Sequence, residues 1–162
     1  MELWDAYDRD GNVTGGTLIR DEAIPEGLYH LVCEALVRHA DGSYQCMQRD
    51  FRKPAYPGCW EVTAGGSALK GEDALTCVRR ELKEETGIAC EDFTFAGRTV
   101  IPGTIYMAYT CTVDADKASV RLQEGETIGF RWVSETDWPA FLRTEKVIPA
   151  QLMRYGITVT DN

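Results

Sequence analysis

The sequence has little positive charge and almost no histidine. Its 162 residues contain 17 Lys and Arg against 26 Asp and Glu, which gives a formal net charge of −9, and only two His. Because nucleic-acid backbones bind basic surfaces, this balance argues against a partner that is an extended nucleic acid. The six cysteines include no CxxC pair and the histidines do not cluster. A zinc cage is therefore not expected.

Long apolar runs are also absent. No run approaches the roughly 18 residues that span a bilayer, and residues 1–5 are acidic where a secretory signal would be basic and then apolar. We therefore predict a cytoplasmic protein with no membrane partner. With 44% hydrophobic residues, the chain can form a sufficient core without disulfide bonds. The cysteines are accordingly expected to be reduced and buried.

The chain contains neither repeats nor a linker, and we predict one domain over residues 1–162. Turn residues within 5–20 predict a short hairpin, which lies in an N-terminal extension over 1–27. Strands on both sides of one strong helix indicate an α+β fold in which helices cover a sheet. The remaining elements are predicted as strands at 28–38, 43–49, 60–64, 93–100, 105–113 and 128–133, and as helices at 72–87, 138–143 and 146–155.

The predicted helix over 72–87 is amphipathic. At about 100° per residue around the helix axis, Leu75, Val78 and Leu82 form one stripe that is expected to face the core. Glu85 lies within the edge of that stripe by the same count. An acidic side chain is therefore expected beside the core.

Three carboxylates, those of Glu81, Glu84 and Glu85, share an arc of about 100° on this helix. Like charges this close repel one another, and partial burial increases the cost. Arg80 can pair with Glu84 four residues on, but one guanidinium cannot balance three acids. Mg²⁺ or Mn²⁺ can, because both prefer hard oxygen ligands, and Gly66 offers a backbone carbonyl to the same ion. A solvated acidic helix face is the alternative.

Residues 66–88 carry a recognisable motif. They read Gly66, five residues, Glu72, seven residues, and then Arg-Glu-Leu-Lys-Glu-Glu-Thr-Gly-Ile. This stretch resembles the Nudix box of the Nudix hydrolase superfamily at all nine specified positions. The resemblance implies an α/β/α sandwich around a mixed β-sheet. It also implies metal-dependent hydrolysis of a phosphoanhydride in a nucleoside diphosphate linked to another group X, or in another small organic diphosphate.

The resemblance also assigns roles to residues of the box. It implies that Glu81, Glu84 and Glu85 are metal ligands, that Arg80 orients them, and that Glu72 stabilises the geometry of loop and helix. The general base is then Glu81 or an acid downstream of the box.

Candidate residues also lie outside the box. Glu124 is the downstream acid we prefer, slightly ahead of Glu126, and two solvated loop acids are the alternative. Arg49, Arg52 and Lys53 precede the box in a loop and are candidates for binding substrate phosphates, although a solvated loop explains them equally well. Trp60 and Glu61 are candidates for the border of a base-binding cleft, with core packing as the alternative for Trp60.

Two other functions are left open by the sequence. Residues 4–11 and 25–32 resemble the isopentenyl-diphosphate isomerase-like branch of the same superfamily. However, Ala64 and Gly66 stand where an isomerase would have its cysteine and a histidine, so isomerisation is disfavoured. The other alternative is a non-catalytic module that binds a nucleotide or diphosphate. A homodimer is a further expectation.

Overall fold

Nine strands and three α-helices are formed by residues 1–160, which are the residues that the computed structural model describes. Each predicted element is present, and most bounds differ by only a few residues. The strands β1 to β9 are Leu3–Tyr7, Val13–Ile19, His30–His39, Tyr44–Arg49, Trp60–Glu61, Thr63–Ser67, Thr94–Ile101, Thr104–Val113 and Thr127–Val133. The helices α1 to α3 are Ala74–Thr86, Trp138–Thr144 and Pro149–Arg154.

Seven of the strands form one mixed sheet around β3. Strand β8 pairs with β3 in parallel along its whole length, from His30 opposite Thr104 to His39 opposite Val113. Strand β6 pairs with β3 on the other side, antiparallel, and β7 pairs antiparallel with β8. Strand β4 pairs antiparallel with β9 and with β5. It pairs with β3 only where Arg38 lies opposite Tyr44.

The two faces of the sheet carry different helices. Alternate residues of β3 from Leu31 to Val37 are buried in one core cluster with the apolar face of α1. On the opposite face, Leu36 packs against a second cluster that includes Phe141 of α2 and Leu152 of α3. The arrangement is an α/β/α sandwich, and the exposed edge of α1 lies beside strand β6.

Helix α1 begins and ends at well-formed caps. The Asp73 carboxylate accepts a hydrogen bond from the Thr76 N–H (2.7 Å), and the Gly87 N–H, in a left-handed conformation with φ of 76°, donates to the Lys83 carbonyl. The helix is therefore shorter than predicted. Leu75, predicted to face the core, is 39% exposed, because burial in a first turn depends on what packs around the helix end and not only on angular position.

The N-terminal hairpin, β1 and β2, is fastened to the loop that precedes α1. The Asp5 carboxylate accepts a hydrogen bond from the Gly71 N–H (2.7 Å), and the Lys70 N–H donates to the Leu3 carbonyl (2.8 Å). Tyr7 also exchanges two backbone hydrogen bonds with Tyr29. The hairpin therefore holds this loop from the outside.

The expectations about cysteines and membrane spans can be compared with the structure directly. All six cysteines are free, and four of them, Cys33, Cys46, Cys77 and Cys111, are buried. The prediction of burial is thus correct for these four, whereas Cys59 and Cys90 are only partly buried. Over residues 1–160, no helix has the length and apolar character needed to cross a membrane.

Candidate active site

Arg80 joins the loop before α1 to the helix. Its guanidinium donates to both oxygens of the Glu72 carboxylate (2.7 and 2.9 Å) and to the Ser67 carbonyl (3.1 Å). Glu72 in turn accepts a hydrogen bond from the Leu69 N–H (2.9 Å). The hydrogen bonds from Arg80 lower the pKa of Glu72. This bidentate pair fixes the path of the loop over the helix.

The same guanidinium contacts two acids of the box. Nη1 of Arg80 donates to Glu81 (2.7 Å) and to Glu84 (3.1 Å), which confirms the predicted pairing with Glu84. The Glu81 side chain is 14% exposed and that of Glu84 is 51% exposed. One guanidinium thus faces three carboxylates including Glu72, and their negative charge exceeds its positive charge.

Glu85 is held by a backbone donor beside the core. Its Oε2 accepts a hydrogen bond from the Gly65 N–H (2.9 Å). Burial, followed by the nearby charges of Glu61 and Glu81, raises the pKa of Glu85 well above its ordinary value. Burial also raises the pKa of Glu81. Burial is the leading cause of both shifts, and neighbouring carboxylates add to it.

A side chain at either glycine of the pair that precedes α1 would meet a close neighbour, the backbone at Gly65 and the flexible Glu81 side chain at Gly66. A Cβ on Gly66 would lie 2.6 Å from the carboxylate of Glu81, and a Cβ on Gly65 would lie 2.2 Å from the Cys33 carbonyl oxygen. The Cys77 thiol donates to the Gly66 carbonyl (3.4 Å). The glycines therefore allow β6 to approach the box carboxylates closely.

The donor set fits a hard divalent cation. Within the described part of the chain, no three His, Cys, Asp or Glu side chains are already gathered for an ion, because Arg80 contacts Glu81 and Glu84 while Glu85 binds Gly65. The side chains nevertheless offer carboxylate oxygens with excess negative charge beside the Gly66 backbone. Oxygen ligands of this kind suit Mg²⁺ and Mn²⁺.

The two downstream acids lie in different surroundings. Glu126 forms an ion pair with Lys53, and its charge contributes to the raised pKa values of Glu61 and Glu85. Glu124 is exposed and makes no ion pair within residues 1–160. Of the two, Glu126 is therefore the acid whose charge acts on Glu85.

A cavity of about 460 Å³ opens over the sheet face opposite α1. It is bordered by β3, β6, β7, β8 and α3, and Gly65 belongs to its lining. Arg49 also lines it and pairs with Glu61 at 2.8 Å. Glu61 therefore borders a cavity, and its place at a base-binding cleft stays a prediction.

The other basic residues of the loop are placed differently. Arg52 is exposed and pairs with Asp50 at 2.6 Å, which lowers the pKa of Asp50 to about 2. Lys53 is largely buried beside Glu126. Of the three basic candidates, Arg49 is the one that lines the cavity.

Trp60 is a correction to the predicted substrate-binding set. It is 5% exposed and belongs to the core cluster under α2, where its ring packs edge-on against Phe141. The guanidinium of Arg131 covers the ring at 4.7 Å from its centroid. Trp60 has no free face for a base, and core packing, the alternative, is correct.

Sequence reasoning missed an ion pair in the cavity. Glu34 of β3 accepts two hydrogen bonds from Arg154, the last residue of α3 (2.5 and 2.8 Å). A lone acid within the apolar run 28–38 was the available signal. Its partner lies 120 residues away in the sequence and could not be identified from spacing.

The isomerase alternative finds no support at the positions that it requires. Ala64 and Gly66 bring neither a thiol nor an imidazole to this part of the sheet. His30 hydrogen-bonds Thr104 (2.9 Å) and Ser67 (3.3 Å) and stacks on Trp4. Its polar atoms are satisfied without a metal.

Comparison with known proteins gives a consistent result. A family model of the NUDIX domain matches residues 29–153. An uncharacterized Nudix hydrolase of Listeria monocytogenes is 28% identical over 155 residues, which cover 92% of this chain and 89% of the relative. A second uncharacterized Nudix hydrolase, from Pseudomonas aeruginosa, is 36% identical over 73 residues, or 45% of this chain and 43% of the relative.

Solved structures resemble the fold as well. A Deinococcus radiodurans crystal structure superposes with a TM-score of 0.73 at 18% identity, covering 94% of this chain and 97% of the other. The MutT protein from Methanosarcina mazei has a TM-score of 0.65 at 26% identity, with 79% and 91% covered. The NUDIX domain of Shewanella oneidensis NrtR, solved with ADP ribose, has a TM-score of 0.62 at 14% identity, with 79% and 84% covered. The predicted α+β sandwich is confirmed.

Proposed function

This chain belongs to the Nudix family, whose hydrolases act on diphosphates, and from that membership we propose that it is a Mg²⁺- or Mn²⁺-dependent enzyme. Its substrate is a nucleoside diphosphate linked to another group, or another small organic diphosphate, and the bond cleaved is the phosphoanhydride. One observation carries the proposal: Glu81 and Glu85 are partly buried acids whose pKa values are raised, and of the two only Glu81 pairs with Arg80, which Glu72 and Glu84 share.

The box residues are proposed to hold the cation. The Gly66 carbonyl and the carboxylates of Glu81, Glu84 and Glu85 are its ligands, and Arg80 orients the acids through the contacts described above. When bound, such an ion neutralises phosphate charge and lowers the pKa of water, which is the chemistry that hydrolysis at neutral pH requires.

The remaining roles are divided between proton transfer and phosphate binding. A general base must reach the attacking water by a hydrogen bond; Glu81 is the box candidate, and Glu124 and Glu126 are the downstream ones. The contribution of Glu126 to the raised pKa of Glu85 favours Glu126 over Glu124. Arg49, Arg52 and Lys53 stay the candidates for contacting the substrate phosphates, and each would have to exchange its acidic partner, Glu61, Asp50 or Glu126, for the phosphate.

The test is product release from a panel of nucleoside diphosphate derivatives, ADP-ribose included, with Mg²⁺ or Mn²⁺. Glu84→Gln and Glu85→Gln should lower the release of nucleoside monophosphate or phosphate by about 100-fold or more. The control is Glu91→Gln. Glu91 forms an ion pair with Arg79 (3.1 Å), which is on the side of α1 away from the box carboxylates. Folded variants with unchanged turnover would contradict the proposal.

The same panel separates the alternatives. Tight binding of a diphosphate without release in the presence of metal would favour a non-catalytic module. Deuterium incorporation into isopentenyl diphosphate without phosphate release would favour an isomerase. The homodimer stays a prediction, which sedimentation of the purified chain would test.

A further inference from the structure

The charges in the cavity cancel within its own lining. Four charged residues line it, and they form two ion pairs, Arg49 with Glu61 (2.8 Å) and Arg154 with Glu34 (2.5 Å). The remaining lining is largely apolar or aromatic and includes Val32, Tyr56, Ile101, Tyr106, Ile148 and Met153. The cavity is therefore formally neutral, although it lies beside an excess of carboxylates.

We propose that this cavity takes the uncharged organic part of the substrate, a nucleoside or sugar, and rejects an organic part that carries a phosphate of its own. The ion pair of Glu34 and Arg154 sets this specificity. The inference rests on the proposed function, since it assumes that the diphosphate lies at the acids of the box.

Gly65 connects the two parts of the site. Its N–H donates to Glu85, and the same residue lines the cavity. It also lies directly opposite Glu34 in the pairing of β6 with β3, so closely that a Cβ on Gly65 would be 2.5 Å from the Cα of Glu34. A group attached to a diphosphate at the box would therefore enter the cavity at Glu34.

The ion pair is held in place from several sides. The Glu34 carboxylate accepts hydrogen bonds from Nε and Nη2 of Arg154 and from the Thr63 hydroxyl (3.2 Å). The Arg154 guanidinium lies over the ring of Tyr106, 4.0 Å from the centroid. Because Glu34 already occupies this guanidinium, a phosphate in the cavity would lose its hydration without gaining a free cationic partner.

Stability alone does not account for this pair. Glu34 is 4% exposed, and a buried ion pair contributes little net stability, because the desolvation of both charges offsets their attraction. An apolar pair of similar volume would fill the same space. A role in substrate selection explains why the charged pair of Glu34 and Arg154 lines the cavity.

The experiment measures binding separately from hydrolysis. The probes are the α,β-methylene analogues of ADP, GDP, CDP and UDP, whose P–C–P bridge is not hydrolysed, each with and without an additional 3′-phosphate. They are titrated calorimetrically into the full chain with Mn²⁺. For every analogue that binds, the 3′-phosphorylated form should bind at least about tenfold more weakly.

Charge variants test the assignment to the ion pair. Glu34→Gln frees Arg154 and makes the lining net positive, so the discrimination against the 3′-phosphate should shrink by about tenfold or reverse. Arg154→Gln leaves Glu34 unbalanced and should increase the discrimination, which provides a second variant if the first does not fold. Glu145→Gln is the matched control. Glu145 forms an ion pair with Arg131 (2.7 Å), and neither residue lines the cavity.

Each outcome is decisive. Equal binding of the two forms, binding of none of the analogues, or a discrimination that neither variant changes would overturn the inference. Release of nucleoside monophosphate from the ordinary diphosphates is measured in parallel. If the binding preference is present but no release occurs, the hydrolytic function fails while the specificity of the cavity stands.

Discussion

The acids around Arg80 and the cavity beside them differ in whether each carboxylate has a guanidinium partner. Around Arg80, the three carboxylates of Glu72, Glu81 and Glu84 face one guanidinium, and the pKa values of Glu81 and of the neighbouring Glu85 are raised. In the cavity, each carboxylate has its own guanidinium. The proposed cation would balance the first region, whereas the charges of the second are balanced by its own side chains. Under the proposed function, phosphate binding and selection of the attached group are thus assigned to two neighbouring regions.

The largest expected effect comes from adding one methyl group to the first region. In Gly66→Ala the new Cβ would displace the Glu81 carboxylate, which lies 2.6 Å away. Because that carboxylate is the end of a flexible side chain, the fold should survive while activity falls about 100- to 1,000-fold. Turnover and thermal unfolding of the same samples measure the two effects.

The control for this prediction is Gly129→Ala. A Cβ at Gly129 meets only Gln48 at 3.6 Å, an ordinary contact. If Gly66→Ala kept wild-type turnover, the close approach of β6 would have no bearing on the box.

A second substitution breaks the balance of the cavity. Arg154→Gln leaves the buried Glu34 carboxylate unpaired and should reduce the free energy of unfolding by about 3 kcal/mol. Adding Glu34→Gln should recover part of the loss, because no unpaired charge then remains. Urea denaturation checks both variants. The exposed pair of Arg131 and Glu145 should differ, with Glu145→Gln costing about 0.5 kcal/mol.

Removing the charge of Glu85 is expected to increase the free energy of unfolding, in contrast to the loss expected for Arg154→Gln. Its pKa is raised by burial, so the folded protein holds the proton more tightly than the unfolded chain, and stability falls as pH rises above the ordinary glutamate range. With a chelator present, Glu85→Gln should therefore increase the free energy of unfolding at about pH 8, by on the order of 1 kcal/mol. The gain should shrink towards acidic pH.

Urea denaturation at several pH values measures this gain, and Glu91→Gln provides the exposed comparison. A loss of stability at alkaline pH would mean that the Glu85 charge is already compensated without metal.

The smallest effect concerns the loop before β5. The Arg52 guanidinium holds the pKa of Asp50 at about 2, so the pair adds stability above the ordinary aspartate range, and this stability is lost as pH falls through about 2. Arg52→Gln should lower the unfolding temperature slightly at neutral pH and not at all below about pH 2. Arg143→Gln, at an exposed position of α2, is the control. A deficit that persists in acid would assign the effect to packing.

A region can be predicted from the sequence when the residues that determine it lie close together in the chain, and not when it depends on contacts between distant segments. Helix α1 and its acids were predictable because Asp73, Gly87 and the spacing of Glu81, Glu84 and Glu85 lie within one short segment. The order of strands and the pairing of Glu34 with Arg154 depend on contacts between distant segments. The choice between Glu124 and Glu126 depended on a loop path that a charge pattern does not specify. The burial of Trp60 depended on α2, which packs against it from far along the chain.

The loop between β6 and α1 is held on two sides, by Asp5 of the hairpin through Gly71 and by Arg80 through Ser67 and Glu72. Its backbone is thus already ordered before any ligand arrives. An incoming ion would need to rearrange only side chains, so little conformational entropy is lost on association. For the proposed cation, the N-terminal hairpin would in this way contribute to affinity by preorganising a loop that is distant from it in the sequence.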